Sequence, residues 1–314
     1  MGVVLIEFPG QIEESEALSK ECLEPLSSLG LYGELSECIH NLGVNASFRG
    51  EYQLAMERLE QAIQLGKKSQ NSMWPSYLLW LGHAYFLLGE YERGLESLQK
   101  CYKIFDRQGN YWGMAFAASK MGLAADGLGD FSKAKEYHRQ ALDIFEKTDN
   151  QTGKGYALSR MSESAYFLEE YQQAVQLADE AYQIFHSHGH LWGICTTLCR
   201  LGFGYIGLGE GIRAENCFRE ALEQSRKYQA APLSLYALAG MAAAMVRLKV
   251  REKVAVDLFR YIRDHPQTPA LSVQQTARWF PHQDQKSSQK GYPFGIRITE
   301  PARLEMIIDE VLRK

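Results

Sequence analysis

The chain predicts an all-α solenoid, a stack of helix–turn–helix units, and three observations point to it. A short phrase returns five times at a nearly fixed interval. Apolar residues around it fall at helical spacing, and a turn residue follows it at a constant offset. The phrase is Leu42-Gly43, Leu81-Gly82, Met121-Gly122, Met161-Ser162 and Leu201-Gly202, with steps of 39, 40, 40 and 40 residues. The turn residues are Gly50, Gly89, Gly129, Glu169 and Gly209. Such a unit cannot bury its apolar face alone and must stack on its neighbours. Function in such a body lies in a long concave surface rather than in a catalytic pocket.

The first unit is incomplete. Stepping back 40 residues from Gly50 lands on Gly10, so Met1 to Pro9 reads as the stump of a helix and Glu14 to Leu29 as its second helix. The expectation is a C-terminal piece of a larger protein; a divergent N-terminal cap is the alternative. The unit from Tyr111 to Asn150 shows the pattern best. Met114, Ala117, Ala118, Met121, Ala124 and Ala125 form an apolar stripe at three- and four-residue spacing over Gly113 to Leu128. Gly129 ends that helix, Asp130 sits near the start of the next, and the second helix runs from about Ser132 to Lys147. Thr148 to Gly153 reads as the loop before the next unit.

Small residues mark where the two helices of a pair come closest: Gly82, Gly122, Ser162 and Gly202 on the first, Ala55, Gly94, Ala134, Ala174 and Ala214 on the second. A bulky side chain there would push the axes beyond the roughly 8–10 Å that helix packing prefers. Met241 to Arg263 is a degenerate last unit with Lys249 in place of the turn glycine. Beyond it the period is lost. Ser272 to Phe280 reads as a short helix, Pro281 to Gly291 as a flexible loop, and Pro301 to Leu312 as a final helix begun by Thr299-Glu300-Pro301. Residues 1–263 are thus expected to form the repeat body, its first repeat truncated, and residues 264–314 a helical cap over the last exposed core.

Composition narrows the function classes. Of 314 residues, 46% are hydrophobic and 23% charged, and the formal net charge is −4. That balance argues against a general nucleic-acid binder, which needs a basic footprint. Six cysteines spread along helical segments do not make a short disulfide scaffold, so free thiols in a reducing cytoplasm are expected. No signal peptide is visible, because Glu7 follows Met1 to Ile6 without a basic leader.

The residues Leu81-Gly82-His83-Ala84-Tyr85 and Leu201-Gly202-Phe203-Gly204-Tyr205, followed by an alanine and then Ala-Leu, resemble the tetratricopeptide repeat (TPR). The usual unit of that family is about 34 residues with an early Trp and a terminal Pro; here both are missing and about six residues are added. Units opened by Gly113, Gly153 and Gly193, and closed by Ile104-Phe105, Ile144-Phe145 and Ile184-Phe185, resemble a long-repeat subset. That subset forms C-terminal arms of bacterial signalling ATPases (STAND proteins) and of transcriptional regulators of the maltose-activator and antibiotic-regulator type. The resemblance covers roughly Gly10 to Arg263. It implies a right-handed α–α superhelix with a C-terminal helical cap, no enzymatic activity and no cofactor.

By the same resemblance the first helices line the concave face. The partner-binding positions are then His83, Phe86, Phe116, Lys120, Leu123, Tyr156, Arg160, Glu163, Tyr166, Phe167, Arg200, Phe203 and Tyr236. Aromatics in this number suit a protein or peptide ligand, while packing against adjacent helices is the plainer reading of any one ring. Lys120, Arg160 and Arg200 recur at 40-residue spacing and are expected to stack as a cationic row, which Asp126 and Glu163 would partly neutralise. His186, His188 and His190 with Cys195 and Cys199 have a metal-like look, but a polar inter-unit loop explains them and no metal is assigned. Gly202-Phe203-Gly204-Tyr205-Ile206-Gly207 matches the dinucleotide fingerprint only by letters, since that motif needs a strand before it. The leading reading is a ligand-sensing arm of a larger bacterial signalling protein, cytoplasmic and without membrane contact. A freestanding scaffold bridging proteins is the alternative; an enzyme comes third and nucleic-acid contact through the cationic row fourth.

Overall fold

The computed structural model describes residues 9–49, 51–227, 230–265, 276–278, 280 and 301–312. Among these residues all regular structure is helical. The chain divides into two compact units, Met1–Asp149 and Asn150–Lys314. The first holds α1 (Pro9–Ser28), then the pairs α2 (Tyr32–Arg49) with α3 (Tyr52–Lys68), α4 (Trp74–Leu88) with α5 (Tyr91–Arg107), and α6 (Tyr111–Gly127) with α7 (Phe131–Lys147). The second holds α8 (Gln151–Phe167) with α9 (Tyr171–Ser187), α10 (Leu191–Leu208) with α11 (Gly211–Lys227), α12 (Ala231–Leu248) with α13 (Glu252–Asp264), and α14 (Pro301–Leu312). Within the first unit each helix from α1 to α7 packs on the next, and within the second each from α8 to α13 does, as a TPR-like solenoid requires.

The repeat is written into the turns. Within the pairs the chain reverses at a left-handed residue: Gly89 (φ 79°), Gly129 (φ 78°), Glu169 (φ 64°), Gly209 (φ 83°) and Lys249 (φ 56°), the last joined by Arg251 (φ 48°). Four of these are turn positions of the sequence phrase; Gly50 lies outside the described residues. Between pairs a second left-handed residue recurs at Gly30, Gln70, Gly109, Asp149 and Gly189. Glycine adopts this conformation freely, whereas a side chain makes it unfavourable by about 1 kcal/mol, so Glu169 carries a small strain.

Helix starts differ from expectation by one or two residues, and the caps explain why. Asn110 Oδ1 accepts from Gly113 N at 2.9 Å and Asn150 Oδ1 from Gly153 N at 2.8 Å. These bonds bring α6 and α8 in two residues before the glycines that the sequence reading took as openers. His190 fills the same place, its Nδ1 accepting from Gly193 N at 3.0 Å. Asp130 caps α7 by accepting from Lys133 N at 3.0 Å.

Close approach within pairs is confirmed by what a Cβ would meet. At Gly82 it would lie 2.5 Å from Leu98, at Gly122 2.2 Å from His138, and at Gly202 2.5 Å from Phe218. Ser162, the exception, donates its hydroxyl to Ala174 O at 2.8 Å, which turns the small side chain into a bond across the pair. At Gly122 the room made is taken by a buried polar pair, His138 Nε2 and Asp126 Oδ2 at 3.2 Å, both side chains fully covered.

Within each unit the first helices of successive pairs also touch one another, α4 with α6, α8 with α10, and α10 with α12. Second helices make no comparable contact among the described residues. The first helices therefore form the inner side of each stack. This accounts for α10 and α12, which are long and apolar enough to cross a membrane by length and composition, yet have 61% and 72% of that length buried by neighbours. The helix α14 lays Leu304, Ile308 and Val311 inward. Arg226 binds Glu305 at 2.8 Å and Asp309 at 2.7 Å, and Arg219 Nη1 donates to Leu312 O at 3.0 Å, which seats α14 on α11. Of the expected 272–280 helix, Thr276 and Ala277 are helical; residues 272–275, the expected 281–291 loop and residues 1–8 lie outside the described residues.

Candidate functional site: the inner helices

In the first unit, α4 contributes His83 and Phe86, and α6 contributes Phe116, Lys120 and Leu123. Trp80, His83 and Phe86 follow one another at three-residue spacing and form a row of rings, with centroids 6.0 Å apart at each step. All three are half-buried. The ammonium of Lys120 lies 5.0 Å from the centre of the Trp80 ring, a cation–π contact that ties α6 to this row. Phe116 is turned the other way, toward the second helix of its own pair, with Trp112 at 4.4 Å and Phe145 at 5.4 Å. Leu123 is buried and serves packing.

In the second unit, α8 brings Tyr156, Arg160, Glu163, Tyr166 and Phe167, α10 brings Arg200 and Phe203, and α12 brings Tyr236. Tyr156 packs downward against Phe185 and His190, as Phe116 does against Phe145. Because His190 Nδ1 accepts from a backbone N–H, its Nε2 carries the proton and donates to the Tyr156 hydroxyl at 3.3 Å. Tyr166, Phe203 and Tyr236 form a ring chain across three successive inner helices, at 5.7 and 5.8 Å. These three rings are buried, and so is Phe167.

The two arginines of this unit converge on one carboxylate. Arg200 donates from Nη2 to Glu163 Oε2 at 2.8 Å and from Nη1 to Ser159 Oγ at 2.7 Å, while Arg160 Nη1 reaches the same Oε2 at 3.0 Å. Glu163 is 3% and Arg200 6% exposed. Burial alone would raise the Glu163 pKa, but the charge of Arg200, then that of Arg160, outweighs it and holds the carboxyl below its ordinary range. Burial together with the Glu163 charge pushes the Tyr236 hydroxyl well above its usual value, so it stays protonated. Arg160 and Arg200 thus belong to a buried ionic cluster that links α8 to α10. Lys120 belongs to the other unit, where Asp126 lies 3.2 Å from His138.

Sequence reasoning missed two participants. Trp80 is the ring on which Lys120 rests, and its three-residue spacing to His83 was the available signal. Arg278, from the segment after the repeats, lies 5.8 Å from the Tyr166 ring and 5.2 Å from Phe167, and Phe280 stacks on Phe259 at 4.6 Å. Arg278 therefore covers part of the inner side of the second unit, a placement that no periodicity encodes. Among the described residues no three His, Cys, Asp or Glu side chains converge as metal ligands would. His188 is engaged with Ile184 O, and Cys195 and Cys199 are buried.

Comparison with known proteins agrees with this architecture. Residues 75–147 match the family model of the tetratricopeptide repeat. No curated protein matches the chain in sequence. Among solved structures, aspartyl phosphate phosphatase F from Bacillus subtilis is 13% identical with a TM-score of 0.64, over 95% of this chain and 76% of that one. A Rap protein complexed with Competence and Sporulation Factor is 11% identical with a TM-score of 0.63, over 89% of this chain and 77% of that one. A STAND protein with a tetratricopeptide repeat sensor from Pyrococcus horikoshii is 14% identical with a TM-score of 0.56, over 95% of this chain and 48% of that one. At such identities the likeness establishes the fold, an all-α TPR-like solenoid.

Proposed function

We propose that this chain is a non-enzymatic sensor arm whose inner helices take a protein or peptide segment. Engagement of that segment would bias a switch domain of a larger bacterial signalling ATPase or transcriptional regulator in the cytoplasm. The observation that carries the reading is the half-exposed row Trp80, His83 and Phe86 with Lys120 resting on it. It presents aromatic area and one cation on helices that face inward, the combination that anchors peptide side chains. The long-repeat style and the likeness to a structure whose repeats are a sensor support the larger role. We read residues 1–263 as the repeat body and 264–314 as its cap, a division supported by the seating of α14 on α11.

A photo-crosslinking amino acid placed at Phe86 in the native host tests this. Crosslinking to one dominant protein, lost when Lys120 becomes Glu and absent from the same probe at the exposed Ile212, supports the reading. Equal crosslinking from both positions, or none from position 86, refutes it. Coding sequence flanking the chain then separates a sensor arm from a freestanding scaffold.

A further inference from the structure

The first unit carries a second surface, on the other side of α4 from the aromatic row. A cleft of about 650 Å³ opens between the second helices α3 and α5, floored by α4. That volume lies in the range of ligand sites. Trp74, Leu78 and Leu81 reach it from α4 at four- and three-residue spacing, a stripe rotated well away from Trp80 and His83. Ile63 and Ile104 complete an apolar floor.

The rim has the opposite character. Lys67, Lys100, Lys103 and Arg107 line the cleft, against one carboxylate, Glu60. Glu60 is turned toward another group, accepting from the Tyr85 hydroxyl at 2.7 Å with Arg93 at 3.9 Å. Lys100 pairs with Glu96, and Lys67 lies 4.8 Å over the Trp74 ring. Cations in a last helical turn favour the helix dipole, which accounts for Lys67 and Arg107. It does not account for Lys100 and Lys103, placed mid-helix on the same rim. In a chain whose formal net charge is −4, this is a local concentration of positive charge around an apolar floor.

We infer that this cleft docks an acidic amphipathic segment of a partner protein, its carboxylates meeting Lys103 and Arg107 and its apolar side chains seated on Trp74, Leu78 and Ile104. A phosphate or a nucleic-acid backbone would satisfy the rim but leave the floor uncovered.

The test uses the whole protein and a fluorescein-labelled acidic 12-residue peptide, EELLEELFEELL, read by anisotropy. Its Lys-for-Glu counterpart and a 12-nucleotide single-stranded DNA, equally labelled, run beside it. The acidic peptide is expected to bind, the basic one not, and the DNA at least tenfold more weakly. Lys103→Glu/Arg107→Glu should weaken the acidic peptide at least tenfold, and so should raising salt from 50 to 300 mM. Both substituted side chains are exposed, so an unchanged circular dichroism spectrum is expected to accompany the loss. Lys120→Glu, on the inner helices, should leave this affinity unchanged, which separates the cleft from the proposed sensor surface. No binding at millimolar protein, equal binding by the double variant, loss in Lys120→Glu instead, or DNA binding as tight as the peptide would each overturn the inference.

Discussion

Replacing Glu163 by Gln removes the charge on which Arg160 and Arg200 close, and the two arginines respond differently. The Arg160 side chain is 31% exposed, so its guanidinium can turn to water. That of Arg200 is 6% exposed and keeps the bond to Ser159 Oγ at 2.7 Å and an amide oxygen where the carboxylate stood, but no counter-charge. A buried charge stripped of its partner costs about 3–5 kcal/mol; the surviving hydroxyl bond places Glu163→Gln near the lower end, about 3 kcal/mol. Arg200→Met leaves Glu163 still paired with Arg160 and should cost about 1–2 kcal/mol. Glu163→Leu with Arg200→Met removes both charges and should fall within about 1 kcal/mol of the parent, well short of the sum of the two single costs. Calorimetry should show Glu163→Gln lowering the Tm of the second unit by about 6–12 °C, with urea unfolding giving the same ranking. The Glu163 pKa lies below that of the unfolded chain, so its contribution is present above the ordinary carboxyl pKa. It is lost as pH falls through the lowered value, and the gap between parent and Glu163→Gln should close in acid. A cost for Glu163→Gln smaller than that of Arg200→Met would refute this reasoning.

Other consequences are equally direct. Glu169→Gly relieves a side chain held at φ 64° and should stabilise by about 0.5 kcal/mol, less than the full strain because glycine also loosens the unfolded chain; urea unfolding decides the sign. Gly240→Ala would set a Cβ 2.0 Å from Phe218 inside the second unit and should cost about 2–3 kcal/mol by the same measurement. Burial lowers the His40 ring, stacked on Tyr77, to about 4, so folded protein resists its protonation. The stability this represents is present above about pH 6.5 and lost as pH falls to about 4. The parent should therefore lose about 2 kcal/mol more than His40→Leu between pH 7 and 4, after allowance for the ring's partial exposure. Burial pushes the thiols of Cys101 and Cys195 up to about 12 and that of Cys217 to about 11, whereas Cys22 is exposed. Ellman's reagent at pH 8 should label one thiol fast, and Cys22→Ser should abolish that phase.

Much of the candidate site was legible as position and little of it as role. That Arg160 and Arg200 stand one repeat apart follows from counting. That they share one carboxylate depends on where Glu163 points between α8 and α10, which lies outside any local pattern. Phe116 and Phe86 look alike in the repeat, yet one packs on Phe145 and the other belongs to the half-exposed row with His83. The cation rim of α3 and α5 escaped notice because only Lys67 and Arg107 share the 40-residue offset, while Lys100 and Lys103 align with Glu60 and Ile63.

By itself, the sequence determined the repeat length, the helical pairs, the left-handed turn positions and the sites of close helix approach. Each of these is a local demand on backbone angle or side-chain size, so it leaves a mark at a fixed offset. Only the tertiary structure decided which charges are buried against each other, which rings remain half-exposed, and that Arg278 lies over Tyr166 and Phe167. Those outcomes depend on distances between side chains far apart in the chain, set by how helices stack, and no periodic signal carries them.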